Sequence, residues 1–203
     1  MLQRGKLLAA LLAALLLCAC VKSETTELVS FCTNTKTGDT PALRLTDCLL
    51  ERENGELRCF WRVEDGLSLR LICTEEGKVT QCRVILRRLR PDGTAFPVTQ
   101  ARTAAFCALA ERACAALEEI SPEEGEALFQ TLHLRSAEAL SQSGTSPLFR
   151  GAGFFARLVS SDAQAVLELS NKWLCPQEEK ETPESVPAFD ETTNIRTETV
   201  PLS

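Results

Sequence analysis

Three stretches of this 203-residue chain predict an α+β domain, with an antiparallel sheet of five or six strands packed on one main helix and a shorter second helix. From Leu57 to Leu86 apolar and polar residues alternate in three runs, separated by Asp65-Gly66 and Glu76-Gly77. That is the period-two pattern of half-buried strands joined by tight turns. From Thr99 to Ile120, Phe106, Ala110, Ala113, Leu117 and Ile120 recur at helical spacing and form a sheet-packing stripe. Near the C-terminal end, Phe154–Ser160 and Gln164–Asn171 read as a hairpin turning at Ser161-Asp162, with Ala165, Leu167 and Leu169 on one side.

In chain order, Leu28–Cys32 is expected to be a short strand, Thr33–Thr40 a polar loop, and Leu43–Leu50 either a second short strand or a helix, with the strand ahead. Asn54-Gly55 is a turn signal, because both central residues of a two-residue hairpin turn take positive φ. In the meander that follows, Leu57, Cys59, Trp61 and Val63, then Leu67, Leu69, Leu71 and Cys73, then Cys82, Val84 and Leu86 face inward. The opposite face carries Arg58, Arg62, Ser68, Arg70, Arg83 and Arg87. Such a row can bind an anion, and it is also how a solvated sheet face reads. Pro91-Asp92-Gly93 closes the meander. Ser121-Pro122-Glu123-Glu124 combines a cap, a first-turn proline and a capping-box glutamate, so a second helix runs from there to about Leu132 and buries Leu128, Phe129 and Leu132. Arg135–Ser146 reads as a polar loop that can begin with a helical turn, and Gly151-Ala152-Gly153 as the entry to the final hairpin.

The ends differ from the middle. Residues 27–175 make the domain, and Trp173 and Cys175 pin its end. Residues 176–203 hold seven acidic residues, four prolines and few hydrophobes, the composition of a disordered acidic tail. At the front, Arg4 and Lys6 precede an apolar run, Leu7–Leu17, and then Cys18-Ala19-Cys20. A basic start, a short apolar middle and a small residue before the cut mark an export signal over residues 1–19. The run is too short to span a bilayer, which takes about 20 apolar residues.

Leu17-Cys18-Ala19-Cys20 resembles the lipobox of bacterial lipoproteins. The resemblance implies a fatty-acylated Cys20 as the mature N-terminus, a tether over residues 20–26, and a domain held at the extracytoplasmic face of the cell membrane. Two acyl chains suffice for stable anchoring. At the level of element order, the mature domain is similar to cystatin-like scaffolds and to small uncharacterised lipoproteins of gut Firmicutes.

Of ten cysteines, Cys18 leaves with the signal and Cys20 takes lipid. The remainder, Cys32, Cys48, Cys59, Cys73, Cys82, Cys107, Cys114 and Cys175, read in an exported chain either as up to four disulfides or as small core residues. Cys107 and Cys114 lie two helical turns apart, about 10 Å along the axis, so neither can bond the other and any bridge must leave the helix.

The formal net charge is −6, and Arg4 and Lys6 depart with the signal, so nucleic acid is a poor partner. The chain has no Tyr, two Trp and one histidine, His133, with no Cys-x-x-Cys pair. No cofactor or metal is expected from these residues, and His133 reads as a surface residue at a helix end. The acidic pairs Glu118-Glu119 and Glu123-Glu124 suit capping better than Ca²⁺ binding, because alternating oxygen ligands around a tight glycine turn are missing. The expected function is that of a membrane-anchored, non-enzymatic module that binds a protein or small ligand. The alternatives are a structural or assembly subunit of an envelope complex and a hydrolytic envelope enzyme.

Overall fold

The computed structural model describes residues 25–171, which form α1 (Leu28–Asn34), a 3-10 turn (Leu45–Asp47), β1 (Leu49–Glu53), β2 (Glu56–Glu64), β3 (Leu67–Thr74), β4 (Val79–Arg87), α2 (Gln100–Ala116), α3 (Pro122–Thr131), α4 (Ala137–Ser141), β5 (Gly144–Thr145), β6 (Phe149–Arg150), β7 (Phe154–Ser160) and β8 (Gln164–Asn171). The signal segment, Cys20, Trp173, Cys175 and the acidic tail lie outside the described residues.

The class is α+β with one antiparallel sheet. The strand order is β1-β2-β3-β4-β8-β7-β5, with β6 also paired to β7, so the sheet has eight strands rather than five or six. The additional pieces are β5 and β6, two residues each and too short to leave a periodic pattern. The final hairpin has its expected bounds, and β8 docks antiparallel on β4 from Gln81↔Ser170 to Arg87↔Gln164.

Alternation sets the buried side. Cys59, Trp61, Leu69, Leu71, Cys73, Cys82, Val84, Leu86, Ala165, Leu167 and Leu169 form one core with Phe106, Ala110, Ala113, Leu117 and Ile120 of the helical segment. Burying a side chain of Leu or Phe size contributes about 1.5–3 kcal/mol, so this row dominates stability. Trp61 is buried yet satisfied, its Nε1–H donating to the Arg44 carbonyl at 2.9 Å.

Four expectations are corrected. Leu28–Cys32 is helical, because Leu28, Phe31 and Cys32 stand at i, i+3, i+4 and bury one face, a period that five residues cannot reveal. Leu43–Leu50 is a 3-10 turn followed by the start of β1. Val63 is 38% exposed, because the pairing of β2 with β3 shifts register between Arg62 and Glu64. The main helix starts at its Thr99 cap but stops at Ala116 rather than Ile120. There the chain meets Thr26: the Glu118 N–H donates to Thr26 Oγ1 at 2.8 Å, and the Glu119 carboxylate accepts from Thr26 N–H and O–H at 2.9 and 2.6 Å.

The second helix has the full capping box, Ser121 Oγ accepting from Glu124 N–H and Glu124 Oε2 accepting from Ser121 N–H. Such a cap contributes about 1 kcal/mol. Glu124 Oε1 also accepts from Ala152 N–H at 2.6 Å, tying the Gly151–Gly153 entry to the helix. Burial by itself would raise the Glu124 pKa, but the hydrogen bonds from Ala152 and Ser121 outweigh it and hold the carboxyl below its usual range. His133 is exposed in the left-handed conformation that ends this helix, with the Leu134 N–H donating back to Phe129 O. Within the expected polar loop, Ser136 caps the one-and-a-half-turn helix α4.

Candidate functional site on the open face of the sheet

Every second residue of the strands points away from the helices, and among the described residues no helix covers that side. Its middle rung runs Leu49, Phe60, Arg70, Arg83, Glu168, Arg157 across β1, β2, β3, β4, β8 and β7. One flanking rung is Glu51, Arg58, Ile72, Gln81, Ser170, Phe155 and Arg150. The other is Arg62, Ser68, Ile85, Val166 and Val159, with Arg87 one step beyond Ile85. Arg58, Arg62, Ser68, Arg70, Arg83 and Arg87 are thus together on this face, as their alternation predicts. Arg150, Arg157, Phe60, Phe155 and Glu168 join them. Arg157 and Phe155 were legible from the parity of the last hairpin, but only the β4–β8 pairing places them beside the meander.

The charges are unequal. Seven guanidiniums face four carboxylates, Glu51, Glu53, Glu56 and Glu168, on a chain that is acidic overall. Glu168, whose side chain is only 12% exposed, serves two arginines, pairing with Arg83 Nε at 3.1 Å and Arg157 Nε at 2.7 Å. Arg58 is held by Glu53 and by Glu56, the latter at 3.2 Å. Arg70 stands directly across from Arg83, and among the described residues no carboxylate lies within ion-pair distance of it. Burial first, then Arg83 and Arg58, push its pKa down, against smaller opposing effects of Glu51 and Glu53. Like charges directly opposite on neighbouring strands are destabilising, so the pair has no folding rationale.

Between the arginines lie Phe60, Ile72, Ile85, Val166 and Val159, all half-buried except the buried Val166. Arg150 lies 5.3 Å from the Phe155 ring centroid. At one end, Phe60, Arg62, Ser68, Arg87, Arg90 and Phe96 line a cleft of about 40 Å³. A second cleft, beside Val79 and Phe154, is about 10 Å³. Small-molecule sites are typically about 300–1,000 Å³, so these clefts take an ion or a side chain and not a cofactor.

The remaining sequence-singled residues fall elsewhere. Glu119 and Glu124 are engaged with backbone groups, and among the described residues no group of three His, Cys, Asp or Glu side chains is arranged to hold a metal ion. Cys32, Cys48, Cys59, Cys73, Cys82, Cys107 and Cys114 are all unbridged, and all but the half-buried Cys48 are buried. The Cys107 thiol donates to the Leu134 carbonyl at 3.1 Å. Comparison with protein-family models, curated proteins and solved structures found no match to this chain.

Proposed function

We propose that this chain is a lipid-anchored, extracytoplasmic binding module whose open sheet face holds an acidic protein partner. The observation that carries this reading is the face itself, an arginine-rich, partly apolar surface on an otherwise acidic chain. Arginine forks match carboxylates in two-point contacts, and Arg with aromatic residues is enriched where proteins meet. A flat face with clefts this small suits a macromolecule better than a metabolite. The export-type signal and the lipobox-like Leu17–Cys20 support the reading of a module held at the membrane surface, a few residues from the anchor.

Two measurements test the reading. A photo-crosslinking residue at position 72 on the open face, compared with one at position 123 on the helical side, should capture a protein of acidic surface in intact cells from position 72 alone. Arg70→Glu should abolish the adduct. Capture from the helical side, or an adduct indifferent to Arg70→Glu, overturns the site. Cys20→Ala should remain unprocessed or leave the membrane fraction; wild-type processing and fractionation would refute the anchor.

A further inference from the structure

Four of the unbridged cysteines converge under α1 at the β1 edge of the sheet. The register sets three of them. Leu57 faces Cys73 and Cys59 faces Leu71, so Cys59 and Cys73 are diagonal neighbours on the buried face. Leu50 faces Cys59, so Cys48, two residues before Leu50, is the diagonal neighbour on the other flank. Cys59 is fully buried between them on that face. Cys32 lies on the buried side of α1, and Cys59 and Cys48 add to burial in raising its thiol pKa. Cys59 is thus a shared partner that can bond only one neighbour at a time. Of the four, Cys48 alone is half-buried and the others are buried.

We infer that these thiols form one exchange unit in which Cys48 is the entry, Cys59 the shared relay and Cys73 the terminus, so that oxidation from outside ends as a Cys59–Cys73 disulfide. The oxidant is an external disulfide, RSSR. The Cys48 thiolate attacks it, forming Cys48–S–S–R and releasing RS⁻. The Cys59 thiolate attacks the Cys48 sulfur, giving Cys48–Cys59 and a second RS⁻. The Cys73 thiolate then displaces Cys48 from Cys59, leaving Cys59–Cys73 and a free Cys48. Two protein thiols lose two electrons and two protons, and RSSR gains both as two RSH. Cys48, freed, can repeat the first step and be resolved by Cys32.

The rate should be slow at neutral pH. Burial, then Cys59 and Asp47, push the Cys48 thiol up to about 11, and burial with Cys59 and Cys48 does the same to Cys32. Exchange needs the thiolate, so the rate should rise about tenfold per pH unit between pH 7 and 9.

The experiment uses the folded, reduced full-length protein and oxidised glutathione, with timed alkylation and peptide mapping of the cysteines. The wild type should accumulate Cys59–Cys73. Cys48→Ala should slow its formation at least about tenfold, the expectation when the accessible thiol is lost. Cys59→Ala combined with Cys32→Ala, which removes both resolving thiols, should instead trap the glutathione adduct on Cys48. Loss of that adduct in the double variant, a wild-type rate in Cys48→Ala, or Cys59 joined to Cys82, Cys107 or Cys114 would overturn the relay. Alkylation of Cys107, which lies outside the unit, should be unchanged in both variants and reports that each still folds.

Discussion

Two sets of arginines flank the same sheet and are used in opposite ways. On the open face Arg70 and Arg83 stand opposed, Arg83 sharing Glu168 with Arg157 while Arg70 has no carboxylate within ion-pair distance among the described residues. Around the covered side, Arg88, Arg102 and Arg112 spend their donors on backbone carbonyls. Arg88 is buried, its Nε donating to Leu140 O at 3.0 Å and its Nη1 to Ser161 O, so one side chain joins α4 to the β7–β8 turn. Arg102 donates to the Phe96, Pro97 and Arg87 carbonyls at 2.8, 2.9 and 2.6 Å, with its guanidinium 3.5 Å from the Phe96 ring centroid. Arg112 reaches Thr35 O and Pro41 O at 2.9 and 2.8 Å, pinning the loop between α1 and β1. The first set leaves guanidinium capacity facing outward, and the second satisfies backbone carbonyls, of which Leu140 O lies in a buried bond and would otherwise cost about 1–3 kcal/mol. The same residue type therefore marks either a candidate interface or a staple, and the deciding fact is what its donors meet.

The largest break in that contrast should come from Arg88→Ala. It strands the buried Leu140 carbonyl, cuts the link to the Ser161 carbonyl and opens a void, so urea denaturation should show a loss of about 3 kcal/mol. A loss below about 1 kcal/mol would remove Arg88 from the staples.

Gly66→Ala should cost less, about 2 kcal/mol. Gly66 has φ +72°, and an added Cβ would lie 2.5 Å from the Phe96 ring and 2.8 Å from Arg102 Nη2. The substitution therefore strains the β2–β3 turn and pushes on the Arg102 staple together. A wild-type melting temperature would mean that Phe96 and Arg102 swing aside freely.

The smallest effect on folding should be the most informative. Arg70→Gln removes the like charge opposite Arg83, so stability should be unchanged or rise by a few tenths of a kcal/mol, less so in high salt. The photo-crosslink from position 72 should weaken at the same time. A stability loss above about 1 kcal/mol would make Arg70 another structural residue and erase the distinction between the two sets.

Much of this was legible in the residues. Period-two alternation through Leu57–Leu86 and Phe154–Asn171 assigned both faces of five long strands, because side chains on a strand cannot choose a side independently. Ser121, Pro122 and Glu124 carry a local capping mechanism and placed α3 without any tertiary information. Asn54 and Gly55 take φ of 52° and 80°, the left-handed pair their turn demands. The misreadings fall where local pattern ran out. Leu28–Cys32 is too short to show its period, and β5 and β6 exist only because β7 offers them an edge. Val63 fails because a register shift is a property of two strands and not of one.

Alternation, capping and turn chemistry by themselves therefore determined which residues are buried, which arginines share a side, and where most elements begin, since each of these is set by neighbours within a few positions. Only the tertiary structure decided that β8 lies against β4, that the helix yields at Ala116 to Thr26, and that Cys48, Cys59 and Cys73 adjoin. Those outcomes rest on pairings between residues far apart in the chain, where no local preference reaches and the free energy comes from what each surface finds to cover it.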